Sequence, residues 1–253
     1  MQYRKGIIAL CLAAFSAGSQ AVTVFVEDNV NPSGVSVGIT TSGHIMTGAR
    51  SDQRFTVDPD GPGGAGIITF NANVWTGIYN FGSTDSSTGR RDFLCVELTA
   101  NAHNGSYSRF HNWGLMGFFA NEMANIRTMS ASDQKNYGTA LQLAAWELVY
   151  DVYLPGVPLT LAQYQAMTNL GSGNFVYNHA TSGNGAWILG QAQTYLAMAW
   201  TNQSSYWYYR SPSDQNPNGA NYQDYISRAS IPGPAAMLPF VAGLLGLRRR
   251  ARR

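Results

Sequence analysis

The sequence predicts a mainly β fold of the α+β class, an antiparallel β-sandwich or barrel with an inserted helical block. Short β-prone runs fill residues 22–98, separated by clusters of Gly, Asn, Ser and Pro. Apolar residues then recur at helical spacing as far as residue 200, and β character returns near residue 206. We therefore expect early strands, a helical block at about 115–200, and late strands that join the early sheet.

Each element has its own local signal. The β-prone runs predict strands at residues 22–26, 35–39, 55–57, 67–71, 74–81, 93–98, 206–210 and 222–227. Helices are predicted at residues 115–126, 132–149, 159–170 and 185–200. In the second helix, apolar side chains lie 3, 4, 7, 8 and 11 positions after Tyr137. We expect Ser132 to be its N-cap.

The charge distribution argues against a nucleic-acid partner. Charged residues make up 12% of the 253 residues, too few for a charge-rich disordered chain. Seven of the sixteen Lys and Arg residues lie at the two ends, whereas all fourteen acidic residues lie between residues 21 and 230. With nine basic residues beside them, this body carries a formal charge of −5, which removes the electrostatic basis for binding nucleic acid.

The first 21 residues have the pattern of a secretory signal peptide. Two basic residues at positions 4 and 5 precede an apolar run over residues 6–15, and Ser19-Gln20-Ala21 has small residues at its first and third positions. We expect cleavage after Ala21. The alternative, that Cys11 marks a lipoprotein, is disfavoured because Leu10 is a poor neighbour for that processing.

Residues 230–253 form a second segment that is distinct from the body. Pro232, Gly233 and Pro234 precede an apolar stretch over residues 235–247, which is followed by Arg248, Arg249 and Arg250. The apolar stretch is shorter than the roughly 20 residues of a membrane-spanning helix, although a thin bilayer extends its reach. The arginines would stay on the cytoplasmic side. A plain membrane anchor is one interpretation.

This tail resembles the PEP-CTERM sorting signal of Gram-negative bacteria, which an exosortase is thought to cut. The resemblance covers residues 231–253, with Gly233 where that family usually has Glu. It implies an exosortase or similar processing enzyme as a partner and transient inner-membrane association through the tail. The mature domain, residues 22–229, would then lie on the outer cell surface or in the extracellular matrix.

Once the signal peptide is removed, Cys95 is the only cysteine, which excludes a disulfide within the exported chain. Such a thiol is buried and inert, paired with another chain, bound to a metal or committed to other chemistry. Alternation along the strand at 93–98 predicts two faces. The face expected to be core carries Leu94, Val96 and Leu98, and the other carries Phe93, Cys95 and Glu97.

The second predicted helix carries a polar side chain in an apolar setting. Residues 141–151 are apolar nearly all round except at Gln142 and Glu147, so most of the helix surface should be buried. A buried carboxamide needs partners, because an unsatisfied one costs on the order of 1 to 3 kcal/mol. One interpretation is that Cys95 is a small buried hydrophobe and Gln142 a satisfied core amide.

These residues also resemble the thioester domains of bacterial surface proteins. Phe93-Leu94-Cys95-Val96 is followed far downstream by an apolar-Gln-x-Ala-x-Trp helix ending at Trp146, and the resemblance covers residues 93–151. In that family the cysteine condenses with the glutamine, losing ammonia and leaving an internal thioester. The resemblance implies this bond between Cys95 and Gln142, with no metal or cofactor and with adhesion rather than enzymatic turnover as the role.

A thioester is a stored electrophile that a substrate amine can attack and to which it becomes covalently attached. The expected partner is therefore an amine-bearing surface protein or a polysaccharide matrix. Because water would destroy the bond, the site must stay dry until that partner arrives. Aromatic side chains are the expected shield, with Phe93, Trp113, Trp146 and Tyr150 as candidates.

Other chemistry has weaker support. A cysteine-histidine hydrolase needs a histidine beside Cys95, and no histidine lies in a recognisable nucleophile motif. His103 and His111 would face each other across a predicted Gly-Ser turn, but zinc needs more ligands. The sequence from Asp58 to Gly61 opens like a calcium loop yet lacks a closing Glu, so a turn is expected.

An aromatic cluster suggests a second function. Alternate rings of residues 206–209, with Trp187 and Trp200, could stack on the apolar face of a sugar. The alternative to a thioester protein is accordingly a structural or carbohydrate-associated matrix protein that forms no reactive bond.

Overall fold

The computed structural model describes residues 35–58, 67–70, 74–96, 98, 102, 104–152, 159–178, 184–211 and 223–229, with backbone alone for residues 42–49. The signal peptide, the strand predicted at 22–26 and the sorting segment at 230–253 lie outside these residues. Cys11, Asp60, His103 and His179 also lie outside them.

Six strands form a closed antiparallel barrel, in the order β1-β4-β5-β9-β8-β6. They are β1 (Val35–Arg50), β4 (Thr76–Ser83), β5 (Arg90–Cys95), β6 (Gly105–Gly114), β8 (Ser204–Arg210) and β9 (Tyr225–Arg228). The two late strands lie between β5 and β6, so they complete the wall and leave no open edge in this sheet. The predicted α+β fold, a barrel with a helical block, is confirmed.

Strand β6 corrects one sequence expectation. Gly105 and Ser106 lie within the strand, opposite Ile39 and Gly38 of β1, and do not form a turn. On its other edge the same strand pairs with β8, where His111 lies opposite Trp207. The hairpin proposed to bring His103 and His111 face to face is therefore wrong, because the ten residues of β6 are one continuous strand.

A second sheet has the order β3-β2-β7 and links the early chain to the helical block. Its strands are β2 (Phe55–Val57), β3 (Ile68–Phe70) and β7 (Phe175–Tyr177). Phe55 in the central strand lies opposite Phe70 on one side and Tyr177 on the other. The sequence analysis does not predict β7, because three residues carry too little periodicity and β2 supplies the pairing.

The described residues contain four helices, α1 (Leu115–Ile126), α2 (Ala131–Asp151), α3 (Leu161–Met167) and α4 (Asn184–Thr201), close to the four predicted. The predicted N-cap of α2 is wrong: Ser130 caps the helix by accepting a 3.2 Å bond from the Asp133 N–H. Helix α3 is shorter than predicted and begins with a capping box between Thr160 and Gln163. None of these helices is long and apolar enough to cross a bilayer.

Aromatic rings fill the barrel interior. The ring of Phe93 lies 5.9 Å from Phe81, 5.1 Å from Tyr209 and 5.5 Å from Tyr225 between centroids. Leu94 and Val96, on the opposite face of β5, are also buried, and α1 and α2 pack on this strand. The expectation of a single core face on β5 is therefore incomplete, because the barrel interior buries one face and the helical layer the other.

The turn between β4 and β5 holds a largely buried ion cluster at the start of β5. The Asp85 carboxylate accepts hydrogen bonds from Arg109 at 2.6 Å and Tyr209 at 2.8 Å, and Arg91 Nε lies 3.3 Å away. Burial alone would raise the pKa of Asp85, but its hydrogen bonds outweigh desolvation and lower the pKa. Cys95 lies at the other end of the same strand.

Candidate functional site

Cys95 is the last residue of β5, and its ladder partners determine where its backbone points. It lies opposite Tyr225 of β9, and the next ladder bond runs from Val96 N to Asp224 O at 3.1 Å. This pattern makes Cys95 and Tyr225 a non-hydrogen-bonded antiparallel pair. The N–H and C=O of Cys95 therefore point away from β9, toward β4.

Strand β4 does not supply the bonds that these groups need. The β4–β5 pairing extends from Gly82 and Arg90 to Tyr79 and Phe93, two residues short of Cys95. Gly77, which would lie opposite Cys95 if this register continued, pairs with Ala49 of β1 and has φ 140°, a conformation that favours glycine. The two strands thus separate and leave a seam in the barrel wall beside Cys95.

The side chain of Gln142 from α2 fills this seam. Its Nε2 donates to the Cys95 carbonyl oxygen at 2.6 Å, and its Oε1 accepts from the Cys95 N–H at 3.2 Å. The carboxamide thus takes the place of the missing strand partner. Both residues are 0% exposed, so the pairing satisfies two backbone groups that would otherwise be buried without partners. The structure brings together the two residues that the sequence analysis singled out.

The thiol of Cys95 faces the barrel interior. Phe93, on the same face of β5, packs among the interior rings, and the paired residue Tyr225 packs there too, against Phe81 at 5.5 Å. Tyr79 lies opposite Phe93 on β4, and its hydroxyl is within hydrogen-bonding reach of the Cys95 side chain. The sequence analysis misses both tyrosines, because only the strand register brings them to the thiol.

Tyr79 connects the thiol to the chain that enters β4. Its hydroxyl donates a short hydrogen bond to the backbone carbonyl of Trp75, a residue whose side chain is 47% exposed. Burial raises the pKa of Tyr79 well above its ordinary value, and the neighbouring Cys95 raises it further. The phenol therefore keeps its proton at neutral pH.

The predicted shielding residues have different positions. Phe93 lies inside the barrel on the same face as Cys95, and the Tyr150 hydroxyl accepts from the Leu98 N–H at 2.9 Å, just beyond the site. Trp146 is buried against Phe55, 5.4 Å between ring centroids, and so packs on the second sheet. Trp113, also expected to be a shield, lies near the end of β6 and is 61% exposed, and its shielding role stays a prediction.

Helix α2 also buries a carboxyl group that the sequence analysis noted only as a polar position. Glu147 is 0% exposed, and neither carboxyl oxygen makes a hydrogen bond of normal geometry within the described part of the chain. Burial, with the nearby Asp151 second, raises the pKa of Glu147 to about 9, against a small opposing effect of the Asn169 backbone. Glu147 is therefore a neutral acid at pH 7.

Asp151, one turn beyond Glu147, is held by the chain that leads into β7. It accepts from the backbone N–H groups of Asn174 at 2.5 Å and Phe175 at 2.9 Å. Gly173 lies so close that an added Cβ would be 2.3 Å from Asp151 Oδ1, and its φ of 114° also favours glycine. This end of α2 is thus a structural anchor for the second sheet.

The other candidate chemistries gain no site in the structure. In the described residues, no group of three or more His, Cys, Asp or Glu is arranged to hold a metal ion. Tyr206, Tyr208 and Tyr209 are buried, and Trp207 is only partly exposed beneath the guanidinium of Arg109, 4.2 Å from its ring centroid. The aromatic run 206–209 therefore belongs mainly to the barrel wall and does not form an open platform.

The sequence matches no protein-family model, and comparison with curated proteins and with solved structures gives no significant match.

Proposed function

We propose that this chain is an exported surface or matrix protein whose Cys95 and Gln142 condense into an internal thioester that captures an amine on a partner. The observation that carries the proposal is the pair of hydrogen bonds, 2.6 and 3.2 Å long, that seats the Gln142 carboxamide on the Cys95 backbone. The carboxamide is thereby held against the backbone of the residue that carries the thiol. Such fixed proximity is what an unreactive amide needs to be attacked.

The same contacts favour the first chemical step. When Sγ attacks Cδ of Gln142, negative charge develops on Oε1, which already accepts the Cys95 N–H at 3.2 Å. A backbone donor aimed at that oxygen stabilises the tetrahedral intermediate. This attack forms the Sγ–Cδ bond. The intermediate then collapses as the Cδ–Nε2 bond breaks, and the thiol proton leaves with the nitrogen as ammonia.

Burial provides the dry setting that a thioester needs. Cys95, Gln142 and Phe93 are all fully buried, so water does not reach the bond in this conformation. The same burial keeps out a partner amine. Capture therefore requires the seam between β4 and β5 to open, and we propose that contact with the partner surface opens it.

The proposal includes the localisation of the protein. The signal peptide at residues 1–21 would direct export, and the tail at 230–253 would be recognised by an exosortase or a similar enzyme after transient association with the inner membrane. The partner would be an amine-bearing surface protein or a polysaccharide matrix. The chain itself would act once per molecule, as an adhesion protein without catalytic turnover and without a cofactor.

A second candidate function is a structural matrix component that forms no reactive bond. The complete hydrogen bonding of the Gln142 carboxamide favours it, since a satisfied core amide needs no further role. In that case Gln142 would serve only to close the seam that the divergence of β4 and β5 leaves.

Intact-mass measurement of the folded mature protein separates the two functions. We expect the wild-type chain to be lighter than its sequence by one ammonia and to gain one methylamine when incubated with that amine. Cys95→Ala and Gln142→Ala should have full mass and take up no methylamine. Gln134→Ala is the matched control, because Gln134 lies on the same helix but bonds to the carbonyl oxygens of Arg127 and Met129. Full mass in freshly folded, amine-free wild type would contradict the thioester.

A further inference from the structure

The tyrosines around Cys95 are not equivalent, because they stand on opposite sides of β5. Tyr225 belongs to β9 and Tyr79 to β4. The Gln142 carboxamide occupies the seam on the β4 side of Cys95, where it bonds to the backbone groups that point away from β9. Tyr79 is thus the tyrosine on the same side of the strand as the amide, and its hydroxyl is also in reach of the thiol.

The bonding of the Tyr79 hydroxyl suits it to pass on a proton. It donates to the Trp75 carbonyl, so its oxygen lone pairs remain available to accept from the Cys95 S–H. The Tyr79 ring packs against Phe81, 5.3 Å away between centroids. Since the phenol stays protonated at neutral pH, it has a proton to give in exchange for the one it receives.

We propose that Tyr79 is a catalytic residue of the Cys95–Gln142 condensation and carries the thiol proton to the leaving amide nitrogen. This inference rests on the proposed function. As Sγ attacks Cδ, the Tyr79 hydroxyl turns from the Trp75 carbonyl toward Nε2. The S–H proton passes to the Tyr79 oxygen while the Tyr79 O–H proton passes to Nε2. The Cδ–Nε2 bond breaks, ammonia leaves, and Tyr79 is again a neutral phenol. The relay needs no base and no external reactant.

The need for a relay follows from the surroundings of the thiol. The inward face beside Cys95 is lined by the buried rings of Phe93, Tyr79 and Tyr225. A thiolate and a protonated amide would both be costly in such a setting. A neutral hydroxyl that moves both protons in one step avoids two separated charges.

The test follows the rate of ammonia loss after the unfolded full-length chain is diluted into native buffer, with the intact mass as the readout. We expect Tyr79→Phe to slow the loss by about 100-fold, a typical contribution of acid–base catalysis. Tyr209→Phe is the matched control: it removes a buried hydroxyl of the same barrel that bonds to Asp85, at the far end of β5, and should react at the wild-type rate.

A second readout, the solvent isotope effect, makes the test independent of how the variant folds. Proton transfer by the relay predicts that wild-type ammonia loss is slower in D₂O, a result that does not require the Tyr79→Phe variant to fold. Reaction of Tyr79→Phe at the wild-type rate, or wild-type loss at equal rates in both solvents, would overturn the relay and leave the thioester intact. A wild-type chain that never loses ammonia would overturn the thioester itself, and the relay with it.

Discussion

Helix α2 buries two polar side chains, Gln142 and Glu147, in opposite states of hydrogen bonding. Gln142 exchanges two bonds with the Cys95 backbone, whereas neither carboxyl oxygen of Glu147 has a partner of normal geometry in the described chain. Both side chains are 0% exposed. Burial alone therefore does not identify a functional site. The Gln142 carboxamide is held in place by its hydrogen bonds to the Cys95 backbone. The Glu147 carboxyl group can be buried without such bonds because it stays protonated and therefore uncharged.

The difference follows from helix geometry. Glu147 lies five positions after Gln142, which places the two side chains on different faces of α2. One face meets the seam between β4 and β5, where backbone groups lack a strand partner. The other face carries Glu147 beside Asp151 and Tyr164, away from the seam. Burial raises the pKa of Tyr164 above its usual range, and Glu147 raises it further.

The largest effect is expected from removing the Gln142 carboxamide. Gln142→Leu keeps the apolar bulk but leaves the N–H and C=O of Cys95 buried without partners, so we expect the free energy of unfolding to fall by about 3 to 5 kcal/mol. Urea denaturation checks this. Gln193→Leu, at an exposed position of α4, is the control and should change stability by less than about 0.5 kcal/mol. Equal stabilities of the two variants would show that the Gln142 carboxamide is not needed to fill the seam.

Replacing Glu147 tests the other half of the comparison. In the unfolded chain its carboxyl ionises near the ordinary pKa of 4.5, but in the folded protein near 9. The folded state therefore binds the extra proton between these values, and wild-type stability falls as pH rises through that window. Glu147→Gln cannot ionise, so we expect it to be about 3 kcal/mol more stable than wild type at pH 7. Below pH 4.5 the two proteins should show no difference of this origin.

Denaturation of both proteins across this pH range provides the measurement. Glu122→Gln, which removes a carboxylate on α1 that accepts a bond from Asn125, serves as the control and should keep the wild-type pH dependence. If Glu147→Gln also keeps that dependence, Glu147 is not the group that binds the proton.

The smallest effect concerns the second contact between α2 and the segment after β5. Tyr150→Phe removes the acceptor of the 2.9 Å bond from Leu98 N–H, two helical turns beyond Gln142. We expect a loss of about 1 kcal/mol, since this bond is only partly buried. Thermal denaturation measures it against Tyr137→Phe, whose ring packs on Trp187 and should be near wild type. If Tyr150→Phe lost as much stability as Gln142→Leu, Tyr150 would be the main contact between α2 and the segment after β5.

The class of fold, the four helices and the pair Cys95 and Gln142 could all be predicted from the sequence. Apolar spacing is local, so it located α1 at its observed bounds and α2 within two residues of its ends. Gln142 stands out because a buried carboxamide needs partners, and Cys95 because it is the only cysteine left once the signal peptide is removed.

The surroundings of Cys95 and Gln142 could not be predicted, because they depend on the tertiary structure. The polar residues and glycines of β6 give no strand signal, and the strand exists because β1 and β8 pair with its two edges. The seam beside Cys95, the burial of both faces of β5 and the approach of Tyr79 all depend on strand register and on barrel closure. These are relations between residues far apart in the chain, and a local pattern cannot encode them.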